Sequence, residues 1–256
     1  MRIDYPNLVY EREGRVALIT LNRPQRLNAQ DYPSKWDLKS ALTHAACDDG
    51  VRVVAFRGNG RAFCAGIDLK ELSQGHLDER NFALWEECIR MLETMDKVTV
   101  ALLHGHVLGS GVQLALGCDL RIATPQTRLG LPAGREGLLP GLAVWRLARF
   151  IGLGRALDLA LVGDPVDGEE ARRIGLVTAL VDDEEREAGF GHWMDRAVAL
   201  ASQGTRATRR AMRAMATMDY DTALQAYLDE QRRGLASTDF AEAMTAYREG
   251  RLPNWS

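Results

Sequence analysis

Two segments of this sequence place small residues and a helix start where a reaction can use them. The first is Phe63-Cys64-Ala65-Gly66-Ile67-Asp68, followed by Leu69-Lys70-Glu71-Leu72. Asp68 with Glu71 three residues on predicts a capping box, so a short helix starts there. Gly66 lets the chain bend tightly and leaves the N–H of Ile67 free to point outward. The second is Gly105 to Leu114, where a strand ends, glycines follow and a helix begins near Ser110. The first N–H groups of a helix lack partners and carry partial positive charge, which suits an anion or an oxygen that becomes one. Two such donors on separate loops make an oxyanion hole. Each segment also has a plainer reading. The first is an ordinary capped turn, and the second is close strand–helix packing that glycine permits.

Other chemistries fit poorly. Gly58-x-Gly60 lacks the spacing and the following helix of a dinucleotide fingerprint, and no G-x-x-x-x-G-K-[ST] run occurs. Cys47, Cys64, Cys88 and Cys118 form no C-x-x-C pair, which disfavours metal and redox sites and fits a reduced cytosol. A net charge of −3 argues against nucleic acid as a partner. Met1 to Tyr10 has no apolar stretch of the signal-peptide kind. Val98 to Cys118 lacks Asp, Glu, Lys and Arg and is long enough to mimic a membrane span. His104, His106, Ser110, Gln113 and several glycines interrupt it, so a buried strand running into a buried helix is expected.

The elements that must position these segments are those of an α/β chain. Its 256 residues suit one such domain with a substantial core. Strands are expected over Val16 to Leu21, Val51 to Arg57, Val98 to Leu103 and Leu120 to Thr124. Asp31 and Pro33 mark a helix start, with Trp36, Leu38 and Leu42 inside. From Phe82 to Met95, Trp85, Cys88, Ile89, Leu92 and Met95 share one helical face. The pattern turns mainly helical from Leu157, with further helices over Thr222 to Leu235 and Asp239 to Glu249. A composition shift near residue 200 divides the chain into a core over 1–199 and a helical part over 200–256.

Thr20 to Pro24 with Leu27-Asn28-Ala29, then Arg61 to Leu69, then Gly105 to Leu114 with Cys118-Asp119-Leu120, resemble successive motifs of the crotonase (enoyl-CoA hydratase/isomerase) superfamily. Gly163-Asp164, Ala171 and Gly175-Leu176-Val177 are similar to its later segment, and Arg251 to Trp255 to its tail. The resemblance implies a superhelix of repeated ββα turns with a C-terminal helical part that serves trimerisation, and homotrimers or dimers of trimers. It implies a coenzyme A thioester as substrate or ligand, with no tightly bound cofactor, no metal and no membrane partner. The thioester oxygen would sit between the N–H groups of Ile67 and Ser110. Arg26, Leu27, Ala29, Ala65 and Ile67 would meet the adenine end, with Tyr247 and Arg251 at the phosphates or the adjoining wall, from a neighbouring subunit.

The sequence departs from that family where protons move. Hydratases use two glutamates. Gln113 stands at the first, where it can position water or a substrate oxygen but takes no proton at neutral pH. Ala133, after Gly130-Leu131-Pro132, stands at the second. Glu136 is the speculative replacement, against a plainer reading as a solvated charge paired with Arg135. His104 and His106 read as packed, hydrogen-bonded histidines. Leu142-Ala143-Val144-Trp145 replaces a glycine-rich stretch and is expected to reshape or fill the acyl pocket. Three functions remain open: an enolate-stabilising lyase of the decarboxylase type, a non-catalytic acyl-CoA carrier, and a hydratase or isomerase with relocated acid–base groups.

Overall fold

The computed structural model describes residues 1–76, 78–200 and 202–255. Strands β1 (Arg2–Asp4), β2 (Leu8–Glu13) and β3 (Val16–Leu21) form an antiparallel meander. Gly14 at φ 53° closes the two-residue turn between β2 and β3. From β3 onward the sheet is parallel, because each return to it passes through a helix. Helix α1 (Tyr32–Cys47) carries the chain from β3 to β4 (Val53–Gly58). After β4 comes the short strand β5 (Ala62–Cys64), then α2 (Leu69–Ser73) and α3 (Glu79–Thr94). The pattern repeats as β6 (Val98–Leu102), β7 (His106–Leu108) and α4 (Ser110–Gly117). It repeats again as β8 (Leu120–Ala123), β9 (Arg128–Gly130) and α5 (Ala143–Leu161).

In each turn the first strand joins one sheet and the second joins another. The large sheet runs β1-β2-β3-β4-β6-β8-β10, with β10 (Ala179–Leu180) after α6 (Gly168–Arg173), and the small one runs β5-β7-β9. This is the expected ββα superhelix. Phe56, Phe63, Ile89, Leu92, Leu103 and Leu114 are buried where the sheets and helices meet. The face of α3 expected from its periodicity is buried in full: Trp85, Cys88, Ile89, Leu92 and Met95.

Several boundaries differ from the sequence reading. The second parallel strand starts at Val53 and not Val51, because the N–H groups of Arg52 and Val53 both turn to Arg15 O. The short strands β5, β7 and β9 are too brief to show a period of two. The uncharged stretch from Val98 resolves into β6, β7 and α4, and no helix among the described residues is long and apolar enough to cross a membrane. Helical structure begins at Ala143, well before Leu157, with a break at Gly152 (φ 75°, ψ 157°).

Helices α7 (Arg186–Leu200), α8 (Gln203–Met215), α9 (Tyr220–Leu235) and α10 (Thr238–Glu249) complete the chain. Helix α8 is fastened to the spiral by cations rather than by an apolar face. Arg209 is buried and donates to Asp119 Oδ2 (2.5 Å), Met95 O (2.6 Å) and Leu92 O. Arg213 reaches Asp119 Oδ1 at 2.8 Å, and Asp119 also accepts from the N–H and hydroxyl of Thr99. Removing one member of such a network leaves buried carbonyls and a carboxylate without donors. Arg209→Ala is therefore expected to lower stability by about 2–4 kcal/mol, read as a drop in the urea midpoint.

Candidate functional site

The loop that carries Ile67 is held from below by a left-handed turn. Leu27 (φ 51°) and Asn28 (φ 57°) follow the 3-10 turn Pro24–Arg26. The buried Asn28 side chain accepts from the Arg23 N–H (2.8 Å) and donates to Asn59 O (3.0 Å) and Ala62 O (2.8 Å). These bonds offset the strain of φ above zero at a residue with a Cβ. Arg23 ties the same loop together through Asp31 (2.7 Å) and Asp68 (3.1 Å). The N–H of Ala65 donates to Leu27 O at 2.9 Å. Gln30 then makes a one-residue parallel bridge to Ile67. Its N–H donates to Gly66 O (2.8 Å) and its carbonyl accepts from Asp68 N–H (3.0 Å). That bridge uses the groups on either side of Ile67, so the N–H of Ile67 faces the other way and has no backbone acceptor among the described residues.

Asp68 caps α2 as expected, accepting from Lys70 N–H at 3.1 Å. The capping box does not close, because Glu71 turns to His76 (3.4 Å) and not back to Asp68.

The second donor comes from the start of α4. Gly109 has φ 49° and ψ −108°, which only glycine adopts readily, and its N–H is anchored on Gly130 O at 3.0 Å. Gly109 O accepts the Gln113 N–H (3.1 Å), so the N–H of Ser110 precedes the helical ladder. The two loops touch. A Cβ at Gly66 would lie 3.2 Å from Leu108 O and 3.7 Å from Gly109 Cα. Gly111 backs onto β5, where a Cβ would meet Cys64 O at 2.4 Å. The packing reading of these glycines holds, and their close approach brings Ile67 and Ser110 to one cleft of about 70 Å³.

Gln113, Ala133 and Glu136 line the same cleft. Gln113 is only 6% exposed, and its Oε1 is buried with no partner among the described residues. Gly141 (φ 53°) lies against it, since a Cβ there would stand 2.3 Å from Oε1. Glu136 ends the 3-10 turn Pro132–Glu136, and burial pushes its carboxyl pKa up. Its expected pairing with Arg135 is absent, because Arg135 bonds Asp164 and Val162 O instead. The cleft therefore has one carboxyl held towards its neutral form, and no carboxylate at the positions of Gln113 and Ala133.

Other expectations separate. Leu27, Ala29, Ala65 and Ile67 lie along the loop just described, with Arg26 exposed beside them. Tyr247 and Arg251 do not reach the cleft within one chain. Tyr247 is exposed, and Arg251 is engaged by Glu242 (2.6 Å) and Glu249 (2.7 Å) at the end of α10. His104 is buried and its Nε2 lies 3.1 Å from Gly60 O, as a packed histidine should. His106 is exposed, against expectation, because the alternation along β7 turns it outward while Val107 points in. Leu142, Val144 and Trp145 do not fill the pocket either. They face outward, and Arg149 stacks on the Trp145 ring at 3.5 Å.

The sequence reading missed Lys35, Trp85 and Glu86 as cleft residues. A signal for Lys35 was present, because it shares a helix face with Leu38, Leu42 and Ala45, all buried. Lys35 is 1% exposed, and its ammonium meets Asn81 Oδ1 and Asn81 O. Burial lowers its pKa to about 8, against weak opposition from Cys88, Cys64 and Asp31. Between that value and the ordinary lysine range near 10.4, the unfolded chain holds a proton that the folded chain has shed. Stability should therefore rise with pH from about 8 towards 10 through this group. Lys35→Met removes the term: it should be more stable than the parent by about 2 kcal/mol at pH 7, with the gap closing towards pH 10 in thermal melts.

Comparison with known proteins agrees with this geometry. The family model for enoyl-CoA hydratase/isomerase matches residues 11–256. The crotonyl-CoA hydratase of Syntrophomonas wolfei is 31% identical over 255 residues, covering 98% of each chain. A probable enoyl-CoA hydratase of Mycobacterium bovis is 34% identical over 263 residues, again covering 98% of each. The crystal structure of an enoyl-CoA hydratase from Bacillus anthracis superposes with a TM-score of 0.91 at 28% identity, covering 97% of this chain and 98% of that one. A match along nearly the whole chain, on a ββα spiral with two apposed backbone donors, makes this protein a member of the enoyl-CoA hydratase/isomerase (crotonase) family.

Proposed function

We propose that the protein binds an acyl-CoA thioester with its carbonyl oxygen between the N–H groups of Ile67 and Ser110, and that it supports lyase chemistry of the decarboxylase type rather than classical hydration. The observation that carries this reading is the cleft itself, which apposes two backbone donors but holds Gln113 and Ala133 where a hydratase needs carboxylates. Donors fixed in advance at a developing oxyanion are commonly the largest catalytic contribution, about 3–4 kcal/mol for one donor. In a malonyl-type thioester the bond from Cα to the carboxylate breaks, CO₂ leaves, and the electron pair moves into the enolate. The two donors take up the charge on oxygen. A proton then returns to Cα from the Glu136 carboxyl, which regains it from water.

Glu136 also favours a second reading, a hydratase or isomerase with a relocated acid, because burial keeps its carboxyl protonated to higher pH than usual. Coenzyme A is ligand rather than resident cofactor in either reading. Its adenine end would follow Arg26, Leu27, Ala29 and Ala65. Tyr247 and Arg251 would join it only from another subunit of a trimer or a dimer of trimers. The exposed Leu153, Leu157 and Leu161 on α5 offer an apolar surface for such an assembly.

Calorimetric titration with malonyl-CoA and crotonyl-CoA, followed by product assay of the same samples, tests the reading. Product from malonyl-CoA alone is expected, and Glu136→Gln should lower its rate about tenfold or more. Binding without product from either ester would favour a carrier, and no binding of either would remove the thioester assignment. The double substitution Gln113→Glu with Ala133→Glu restores both carboxylates to a cleft whose donors are in place. It is expected to gain measurable hydration of crotonyl-CoA, followed as loss of absorbance of the conjugated thioester.

A further inference from the structure

Around Lys35 and α3 the cleft has more buried hydrogen-bond donors than acceptors, while Gln113 Oε1 in the same cleft is an acceptor without a partner among the described residues. Lys35 is buried on α1, with both of its polar contacts on Asn81. No carboxylate among the described residues forms a salt bridge with it. On the facing helix α3, Asn81 and Trp85 are one helical turn apart and both are buried. The Asn81 Nδ2 and the Trp85 Nε1 have no partner among the described residues. The nearby carboxylates are engaged elsewhere. Glu86 accepts from Arg146 (2.7 Å) and from the Leu142 N–H (3.0 Å). Asp31 accepts from Arg23 (2.7 Å) and from the Ser34 N–H (2.9 Å). The Phe82 and Trp85 rings, each with its centroid 5.7 Å from Lys35 Nζ, give only partial relief to a buried cation. Buried donors left open in this way normally face a ligand or water.

We propose that this wall is an anion subsite for the acyl end of the ligand: it takes a short acyl group ending in a carboxylate, whose oxygens accept hydrogen bonds from Lys35 Nζ and Trp85 Nε1. The inference rests on the reading that places the thioester at Ile67 and Ser110, and it adds the class of acyl group. Length follows from the cavity. The cleft of about 70 Å³ has room for about five to seven water molecules at roughly 10–15 Å³ each, which fits a chain of a few carbons. Chemistry follows from the donors. An uncharged acyl terminus would leave the ammonium with Asn81 and no counter-charge and the indole N–H unpaired, which is costly, whereas a carboxylate satisfies both. An ammonium that holds the carboxylate in the ground state opposes its departure as CO₂, so the pairing sets affinity more than rate. Loss of Lys35 should accordingly raise KM for malonyl-CoA without lowering kcat.

The test is calorimetric titration of the full-length protein, Lys35→Met and Trp85→Phe with fresh succinyl-CoA and butyryl-CoA, whose acyl groups have equal chain length. The parent is expected to bind succinyl-CoA about tenfold or more tightly than butyryl-CoA. Lys35→Met should erase that preference, with succinyl-CoA bound more weakly than by the parent, and its thermal melt should be no lower than the parent's. Trp85→Phe keeps an aromatic ring, a smaller one, and removes the N–H, so the preference should fall about threefold or more. Equal binding of the two esters by the parent would overturn the subsite and leave the thioester reading standing. A preference that survives Lys35→Met and Trp85→Phe would overturn the assignment to these residues. Failure of the parent to bind butyryl-CoA or free coenzyme A would overturn the thioester reading, and the subsite with it.

Discussion

The site depends on a bridge of one residue. Gln30 pairs with the backbone on both sides of Ile67 and not with Ile67 itself. In a parallel pairing the N–H and carbonyl of the bridged residue point away from the partner strand. The bridge therefore does two things at once: it satisfies the buried groups of Gly66 and Asp68, and it aims one N–H into the cleft. Asn28 and Arg23 fix where Gln30 sits. Asn28 crosses to Asn59 and Ala62 in the next loop and Arg23 crosses to Asp68, so the position of Ile67 is set by residues some forty positions earlier in the chain.

The glycines explain how that donor meets the second. Gly66 and Gly109 approach each other closely enough that side chains would have to give way, and Gly111 sits on a carbonyl of β5. Read singly, such glycines are equally well explained by packing or by catalysis. In the folded chain the contact that packs one turn of the spiral on the next also brings Ile67 and Ser110 to the lining of one cleft.

Burial shifts two ionisable groups of the cleft. It works against the charged forms of Lys35 and Glu136, raising the acid and lowering the amine. It also silences the thiols, since Cys64 is pushed up to about 11 and Cys88 to about 12, which leaves no thiolate nucleophile at neutral pH. Where the fold requires a buried charge for structure, it supplies a partner. Arg146 meets Glu93 (2.8 Å) and Glu86 (2.7 Å) between α3 and α5, and Arg209 and Arg213 meet Asp119 beneath α8. Lys35 is treated differently, with no carboxylate partner among the described residues and with open donors beside it.

Much of this was legible in the sequence. The period of α3, the capped start of α1 at Asp31, the parallel strands rich in β-branched residues and the two glycine segments all follow from local rules, because backbone sterics and one-sided burial act within a few residues. The proposed donors Ile67 and Ser110, and Gln113 and Ala133 beside them in the cleft, could be picked out from the order of the motifs. Tertiary structure decided what depends on neighbours distant in the chain. It settled that Arg135 pairs with Asp164 and leaves Glu136 to the cleft, that His106 and Trp145 face outward, and that Tyr247 stays apart from the site. It also showed that Lys35, a single cation on an apolar helix face, ends in the wall of the cleft beside two unpartnered donors. A side chain's ionisation and its hydrogen bonds depend on which atoms surround it, and the atoms that surround Lys35 are supplied by a helix that begins more than forty residues later.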